Sequence, residues 1–133
     1  MNTPRPVFTQ TREICEADID EMQHVNNVVY LKFLQEVAIS HWDSLAPQKV
    51  RDSIRWIVRK HEIEYLYPAR LHDRIELVTW VSSASGVSSE RCYEIRLNGR
   101  VIVKARTLWI AVDPLTQKPL RISEEIKKLF DLA

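Results

Sequence analysis

The feature that most constrains this chain is a stretch of nineteen residues, 27–45, that contains neither glycine nor proline. Its apolar side chains recur at helical spacing, and others fill most of the remaining circumference: Val28, Leu31, Leu34, Ala38 and Trp42, then Tyr30, Phe33, Val37 and Ile39. A helix that is apolar nearly all round is buried rather than laid on a surface. The stretch therefore predicts one long helix, 27–45, that a sheet must enclose.

The residues after this helix predict the strands of such a sheet. Asn98-Gly99 lies between two apolar runs and supplies the positive φ angles of a tight hairpin turn. Residues 88–97 and 100–112 should therefore be antiparallel neighbours. Ser85-Gly86 predicts a second hairpin that joins the run 74–84 to the strand starting near 87.

Two further strands complete the expected sheet. The run from Trp56 to Tyr67 is rich in aromatic and β-branched residues and is followed by proline, which is typical of a strand end. Its alternation breaks at 59–62, which predicts either a bulge or a change of face. A weaker pattern at 7–14 predicts the first strand, and Ser123 predicts the cap of a short final helix. The class is α+β: a strand, a long buried helix, then four strands in antiparallel succession.

Composition limits what such a domain can do. The 133 residues are enough for a single domain, 1–133, with 45% hydrophobic and 28% charged residues. The net charge is only +1 and the basic residues are scattered, so neither nucleic acid nor an anionic membrane is an expected partner. Two isolated cysteines, no apolar leader and no run long enough to cross a membrane predict a cytoplasmic protein.

The polar segment EADIDEMQHVNN, residues 16–27, carries the chemistry. It ends where the long helix begins, and a helix start has unpaired backbone N–H groups and a partial positive charge. Those groups can hold the oxyanion that develops when a carbonyl is attacked, and a nearby carboxylate such as Asp20 can attack that carbonyl or activate water. His24 and Asn26 or Asn27 can orient water or substrate.

Each of these residues also has a structural explanation. Acidic groups before a helix favour its dipole, and this explanation is preferred for Asp18. Asn26 or Asn27 can be the N-cap, and His24 can be a hydrogen-bonded structural histidine. The four histidines show no metal-ligand spacing, and the sequence has neither a nucleophile elbow nor a glycine-rich phosphate loop. No metal and no cofactor are expected.

The run DIDEMQHVNNVVYLKFLQEV resembles the hotdog-fold thioesterases of the 4-hydroxybenzoyl-CoA thioesterase-like superfamily, and its H-V-N-N-x-x-Y part is similar to plant acyl-ACP thioesterases. The resemblance implies a hotdog fold, an antiparallel sheet of about five strands wrapped around one central helix. It also implies that Asp20 is the catalytic carboxylate, that the backbone N–H near Asn27 polarises the thioester carbonyl and that His24 assists. The chain departs from its relatives at Glu16, Met22 and Asn27.

The resemblance further implies an acyl-CoA or acyl-ACP substrate and a homodimer or homotetramer with sites between subunits. Asn26, Tyr30 and Glu64 are the expected substrate-binding residues, while Arg59 and Arg91 are placed to meet CoA phosphates; solvent exposure is the alternative for Glu64 and for each arginine. The function expected is thioester hydrolysis. A non-catalytic acyl-CoA or fatty-acid binding protein of the same fold is the alternative, and a hotdog dehydratase or hydratase ranks last.

Overall fold

The computed structural model describes residues 7–132. The elements in chain order are β1 (Phe8–Glu13), a 3₁₀ turn (Glu16–Asp18), α1 (Asn27–Leu45), α2 (Gln48–Asp52), β2 (Arg55–Tyr65), β3 (Arg74–Ser85), β4 (Ser88–Leu97), β5 (Arg100–Val112) and α3 (Glu124–Leu129). The predicted long helix is confirmed, and so are the two hairpins and the Ser123 cap, whose hydroxyl accepts the Ile126 N–H. The 3₁₀ turn and α2 were not predicted.

Five antiparallel strands form one sheet in the order β1-β3-β4-β5-β2. The prediction of four strands in antiparallel succession is wrong in one respect, because β2 pairs with β5 rather than with β3. The segment 66–73 joins β2, at one edge of the sheet, to β3, which lies next to the opposite edge strand β1. The predicted bulge in β2 is confirmed, since the register with β5 shifts between Val58 and Lys60.

Alternation along the strands gives the sheet an apolar face toward α1. Ile75 and Leu77 of β3 and Tyr93 and Ile95 of β4 are buried there, and they pack with the buried residues of α1, which include Phe33, Leu34 and Val37. The helix packs mainly on β3 and β1 and lies nearer that half of the sheet. A second cluster around Ile54, Val81, Ala111 and Phe130 lies beyond the C-terminal end of α1.

The expectation that α1 is buried on nearly all sides is wrong for one face of the protomer. Val28 is 73% exposed and Ile39 is 57% exposed. Eleven residues at about 100° each make close to three turns, so both side chains lie on the same face of the helix. The sheet does not cover that face in the protomer, and the buried residues lie on the other sides of the helix.

Candidate active site

The loop before α1 folds back on itself and holds Asp20 close to the start of the helix. The Asp20 N–H donates to the His24 carbonyl over 2.8 Å, and Ile19 pairs with Val25 as an isolated bridge. The loop closes where the Asn26 N–H donates to the Asp18 carbonyl over 3.0 Å. A tight local fold therefore carries Asp20 and His24 in one hydrogen-bonded loop that leads directly into Asn27.

Asp20 is a half-buried residue, and the two oxygens of its carboxylate differ in their contacts. Oδ1 accepts the Met22 N–H over 2.8 Å and the His24 N–H over 3.4 Å, which makes an Asx-type turn. Oδ2 accepts no hydrogen bond from any residue in the described range 7–132. One oxygen thus fixes the side chain while the other is available to a water molecule or a carbonyl carbon.

Asn26 is the N-cap of α1 and leaves one backbone donor unused. Its Oδ1 accepts the Val28 N–H over 3.0 Å, and its carbonyl accepts the Val29 N–H over 2.9 Å. The N–H of Asn27 finds no acceptor within the part of the chain that the structure describes. This N–H, at the positive end of a nineteen-residue helix, can donate to an oxyanion.

Another acidic residue of the loop, Asp18, has a structural role. Its buried carboxylate accepts the Cys15 N–H over 3.0 Å and lies 3.2 Å from the Cys15 Sγ, and Arg12 approaches to 3.9 Å. These contacts brace the 3₁₀ turn that begins the loop. Both Cys15 contacts reach Oδ2 of Asp18, and its Oδ1 faces Arg12, so this buried carboxylate is held beside a cation.

Two other predicted site residues, His24 and Tyr30, lie at this end of α1 and differ in their surroundings. His24 is half-buried and its backbone forms an isolated bridge with Arg70. Tyr30 is buried in the core, where its hydroxyl accepts the Ala69 N–H over 3.0 Å, and burial is the main reason that its pKa is raised. Tyr30 thus anchors the segment 66–73 against the helix.

A residue that the sequence did not single out also reaches this end of the helix. The Tyr65 hydroxyl donates to the Asn27 carbonyl over 3.4 Å, and its ring lies 5.6 Å from that of Tyr30. Tyr65 ends β2 on the face toward α1. The alternation of side chains along β2 could have placed Tyr65 on this face. Once the bulge is allowed for, Tyr65 and Trp56 are separated by an even number of positions and therefore lie on the same side of the sheet.

The structure does not bring Glu64, Arg59 or Arg91 to Asp20 within one protomer. Glu64 is exposed, pairs in register with Lys104, and by alternation points to the sheet face opposite α1. Arg59 is exposed at the bulge. Arg91 is only 5% exposed and lies beneath α1, not on the surface where the sequence placed a contact to CoA phosphates.

A cavity of about 430 Å³ lies at the other end of α1. Aromatic and aliphatic side chains form most of its wall, and Arg91 and Ser89 are its polar inner members; the wall includes Trp42, Ile54, Trp56, Val81, Trp109 and Phe130. Asp20, His24 and Asn27 do not line it. In residues 7–132 no helix is long and apolar enough to cross a membrane, and no group of three or more His, Cys, Asp or Glu is gathered as metal ligands would be.

The model of the acyl-ACP thioesterase N-terminal domain family matches residues 5–130, nearly the whole chain. The chain belongs to this family. The superfamily and the hotdog fold predicted from the sequence are thereby confirmed. Among relatives of this acyl-ACP thioesterase domain, the long-chain acyl-CoA thioesterase FadM of Escherichia coli K12 is 31% identical over 123 residues, which are 85% of this chain and 89% of that protein.

Solved structures agree with the family assignment. The probable thioesterase YbaW of Escherichia coli superposes with a TM-score of 0.80 at 27% identity, covering 93% of this chain and 96% of that chain. A predicted thioesterase from Bacillus stearothermophilus superposes with a TM-score of 0.85 over 94% of each chain, although only 18% of its residues are identical. This second likeness supports the fold alone.

Proposed function

We propose that this protein hydrolyses acyl thioesters of coenzyme A or acyl carrier protein, with Asp20 as the catalytic carboxylate. The observation that carries the proposal is that Asp20, whose carboxylate has one free oxygen, lies in the loop that leads to an unused N–H at the start of α1. The family assignment and the similarity to named acyl-CoA thioesterases support the reaction type.

The reaction follows from the electrostatics of the helix start. The Asn27 N–H donates to the thioester carbonyl oxygen and stabilises the negative charge that forms on it. Asp20 either removes a proton from the attacking water or attacks the carbonyl carbon itself to form an anhydride that water then opens. The thiolate leaves and the acid is released. His24, in the same loop, assists by orienting the water or the leaving group.

The experiment that tests this role exploits a matched pair of aspartates. The Oδ1 of Asp113 accepts the Leu115 and Thr116 N–H groups, both at 2.9 Å, in a turn like that of Asp20 but far along the chain from α1. Asp20→Asn and Asp113→Asn both keep an acceptor oxygen for their turns. We expect Asp20→Asn to lower kcat by about 10²-fold or more, as for a lost general base, and Asp113→Asn to keep wild-type turnover.

The readout is free thiol released from a panel of short, long and aromatic acyl-CoAs and from acyl-ACP. Wild-type turnover by Asp20→Asn on the best substrate would refute the assignment. The Asx turn favours a second candidate, since it gives the Asp20 carboxylate a structural explanation without chemistry. That candidate is a non-catalytic acyl-CoA or fatty-acid binding protein, and tight binding by the wild type with no thiol release would favour it.

We also propose that the protein works as a homodimer or a dimer of dimers, in which the two sheets lie side by side. The face of α1 that carries Val28 and Ile39, with Lys32 and Gln35 between them, is exposed in the protomer, and β2 is an edge strand with Ile57 and Tyr65 exposed. An open strand edge beside exposed apolar side chains is a surface that proteins usually cover. Such a pairing would bring a partner's residues to Asp20. The two free cysteines fit the proposed cytoplasmic location.

A further inference from the structure

A buried arginine with no acidic partner lies inside the cavity at the C-terminal end of α1. Arg91 is 5% exposed and lines the cavity. Its Nη1 lies 2.8 Å from the His41 Nδ1 and donates to the Thr79 Oγ1 over 3.1 Å. Throughout the described range 7–132, no carboxylate lies within 4.0 Å of its guanidinium.

The partners of Arg91 leave its charge uncompensated. Arginine only donates, so the His41 Nδ1 must carry a lone pair and the ring proton must be on Nε2. Burial and the positive charge of Arg91 lower the pKa of His41 to about 4, so this imidazole is neutral at pH 7. Burial lowers the pKa of Arg91 to about 10, which still leaves it charged. A buried charge without a counter-charge is costly, so its retention here needs a reason.

Two nitrogens of the Arg91 guanidinium are left over. Nε and Nη2 make no hydrogen bond to any described residue, and neither nitrogen is sealed from the cavity. The charges at the rim, Arg51 and Arg55 against Asp43 and Asp52, balance each other. Arg91 therefore gives the cavity wall a net positive charge. Its planar guanidinium offers parallel N–H donors that match the two oxygens of a carboxylate.

The rest of the wall defines the body of the ligand. Three tryptophans and Phe130 surround the space, together with Ile54 and Val81. Ala38 lies about 16 Å along the helix from Asn27, so a group in the cavity is distant from a carbonyl at the helix start. We infer that the cavity binds a carboxylate carried on an apolar body, with the carboxylate on Arg91 and the body among the tryptophans.

Two sources have this chemistry. One is a free aryl or alkyl carboxylic acid bound on its own, and the other is an acyl thioester whose far end carries a second carboxylate. The second source rests on the proposed thioesterase function, whereas the first does not. A binding experiment with a free carboxylic acid therefore tests the site even if no thioester is hydrolysed.

The first arm uses calorimetry and the fluorescence of the lining tryptophans with 2-naphthoate as probe and 2-naphthamide as its neutral counterpart. We expect the wild type to bind the acid at least about tenfold more tightly than the amide, as for a charged hydrogen-bonded pair. Arg91→Met should lose this preference, Arg91→Lys should keep part of it, and Arg121→Met, at an exposed position, should keep all of it.

The second arm compares hydrolysis of acyl-CoAs that end in a carboxylate with methyl-ended chains of equal length. A wild-type preference for the carboxylate end that Arg91→Met abolishes identifies the substrate as the source. Binding of 2-naphthoate without that preference identifies a free acid. Equal affinity of the wild type for 2-naphthoate and 2-naphthamide would overturn the inference whether or not the Met variant folds, and so would an undiminished preference in a folded Arg91→Met protein.

Discussion

At the scale of single residues, His41 makes the free energy of unfolding depend on pH. Its ring is buried on α1, stacks on Phe8 at 5.2 Å and accepts from Arg91. Burial, and then the charge of Arg91, lowers its pKa in the folded state to about 4, against 6.5 in the unfolded chain. Between those two values the unfolded chain binds more protons, so the free energy of unfolding rises with pH.

We therefore expect the wild type to lose about 2 kcal/mol of stability through this residue when the pH falls from 7.5 to 5.0. His41→Gln keeps a hydrogen-bond acceptor for Arg91 but does not titrate, so its stability should fall by correspondingly less. Urea unfolding at the two pH values measures the difference. His72→Gln, at a largely exposed histidine, is the control and should behave like the wild type. An equal acid loss in His41→Gln and the wild type would contradict the assignment.

The residues around Asp20 were predictable because their geometry is local. Residues 16–27 are consecutive, and the start of α1 fixes where their polar groups meet. Arg91 and His41 are fifty residues apart and come together only when β4 packs under α1. The alternation of Ser89, Arg91, Tyr93 and Ile95 does indicate that Arg91 points to the core side, but no local pattern names its partner.

At the scale of elements, the fold could be predicted wherever neighbours in sequence are neighbours in space. Asn98 and Gly99 have φ angles of 53° and 79°, the positive values that a tight hairpin turn requires. The β4–β5 pairing could therefore be predicted from these two residues alone. The β2–β5 pairing joins strands without a hairpin between them. Its register depends on how the whole sheet closes over the helix, which short-range signals do not encode.

The N-cap of α1 gives a prediction at this scale. The Asn26 side chain satisfies the Val28 N–H, so Asn26→Ala should lower the free energy of unfolding by about 1 kcal/mol. Asn26→Asp keeps the acceptor and should stay near the wild-type value. Urea unfolding at one fixed protein concentration compares the three proteins. Wild-type stability in Asn26→Ala would show that the cap contributes nothing.

At the scale of the whole molecule, the exposed face of α1 predicts self-association. Ile39 is 57% exposed on that face, and lysine there would place a charge in the proposed subunit interface. We expect Ile39→Lys to weaken the dimer at least about tenfold, measured by sedimentation equilibrium over a range of concentrations. Leu115, an apolar side chain that is 93% exposed in the turn after β5, is the matched control. Leu115→Lys should sediment like the wild type, and a monomeric wild type would refute the proposal.

The position of α1 on one half of the sheet has a wider consequence. The loop that holds Asp20 is built from residues before the helix, whereas the space above β4 and β5 is walled by side chains from later parts of the chain. Substitutions in that later wall can reshape what the protein accommodates without disturbing the loop. We expect divergence within this lineage to accumulate there, so that new specificities arise while the reaction chemistry is inherited unchanged.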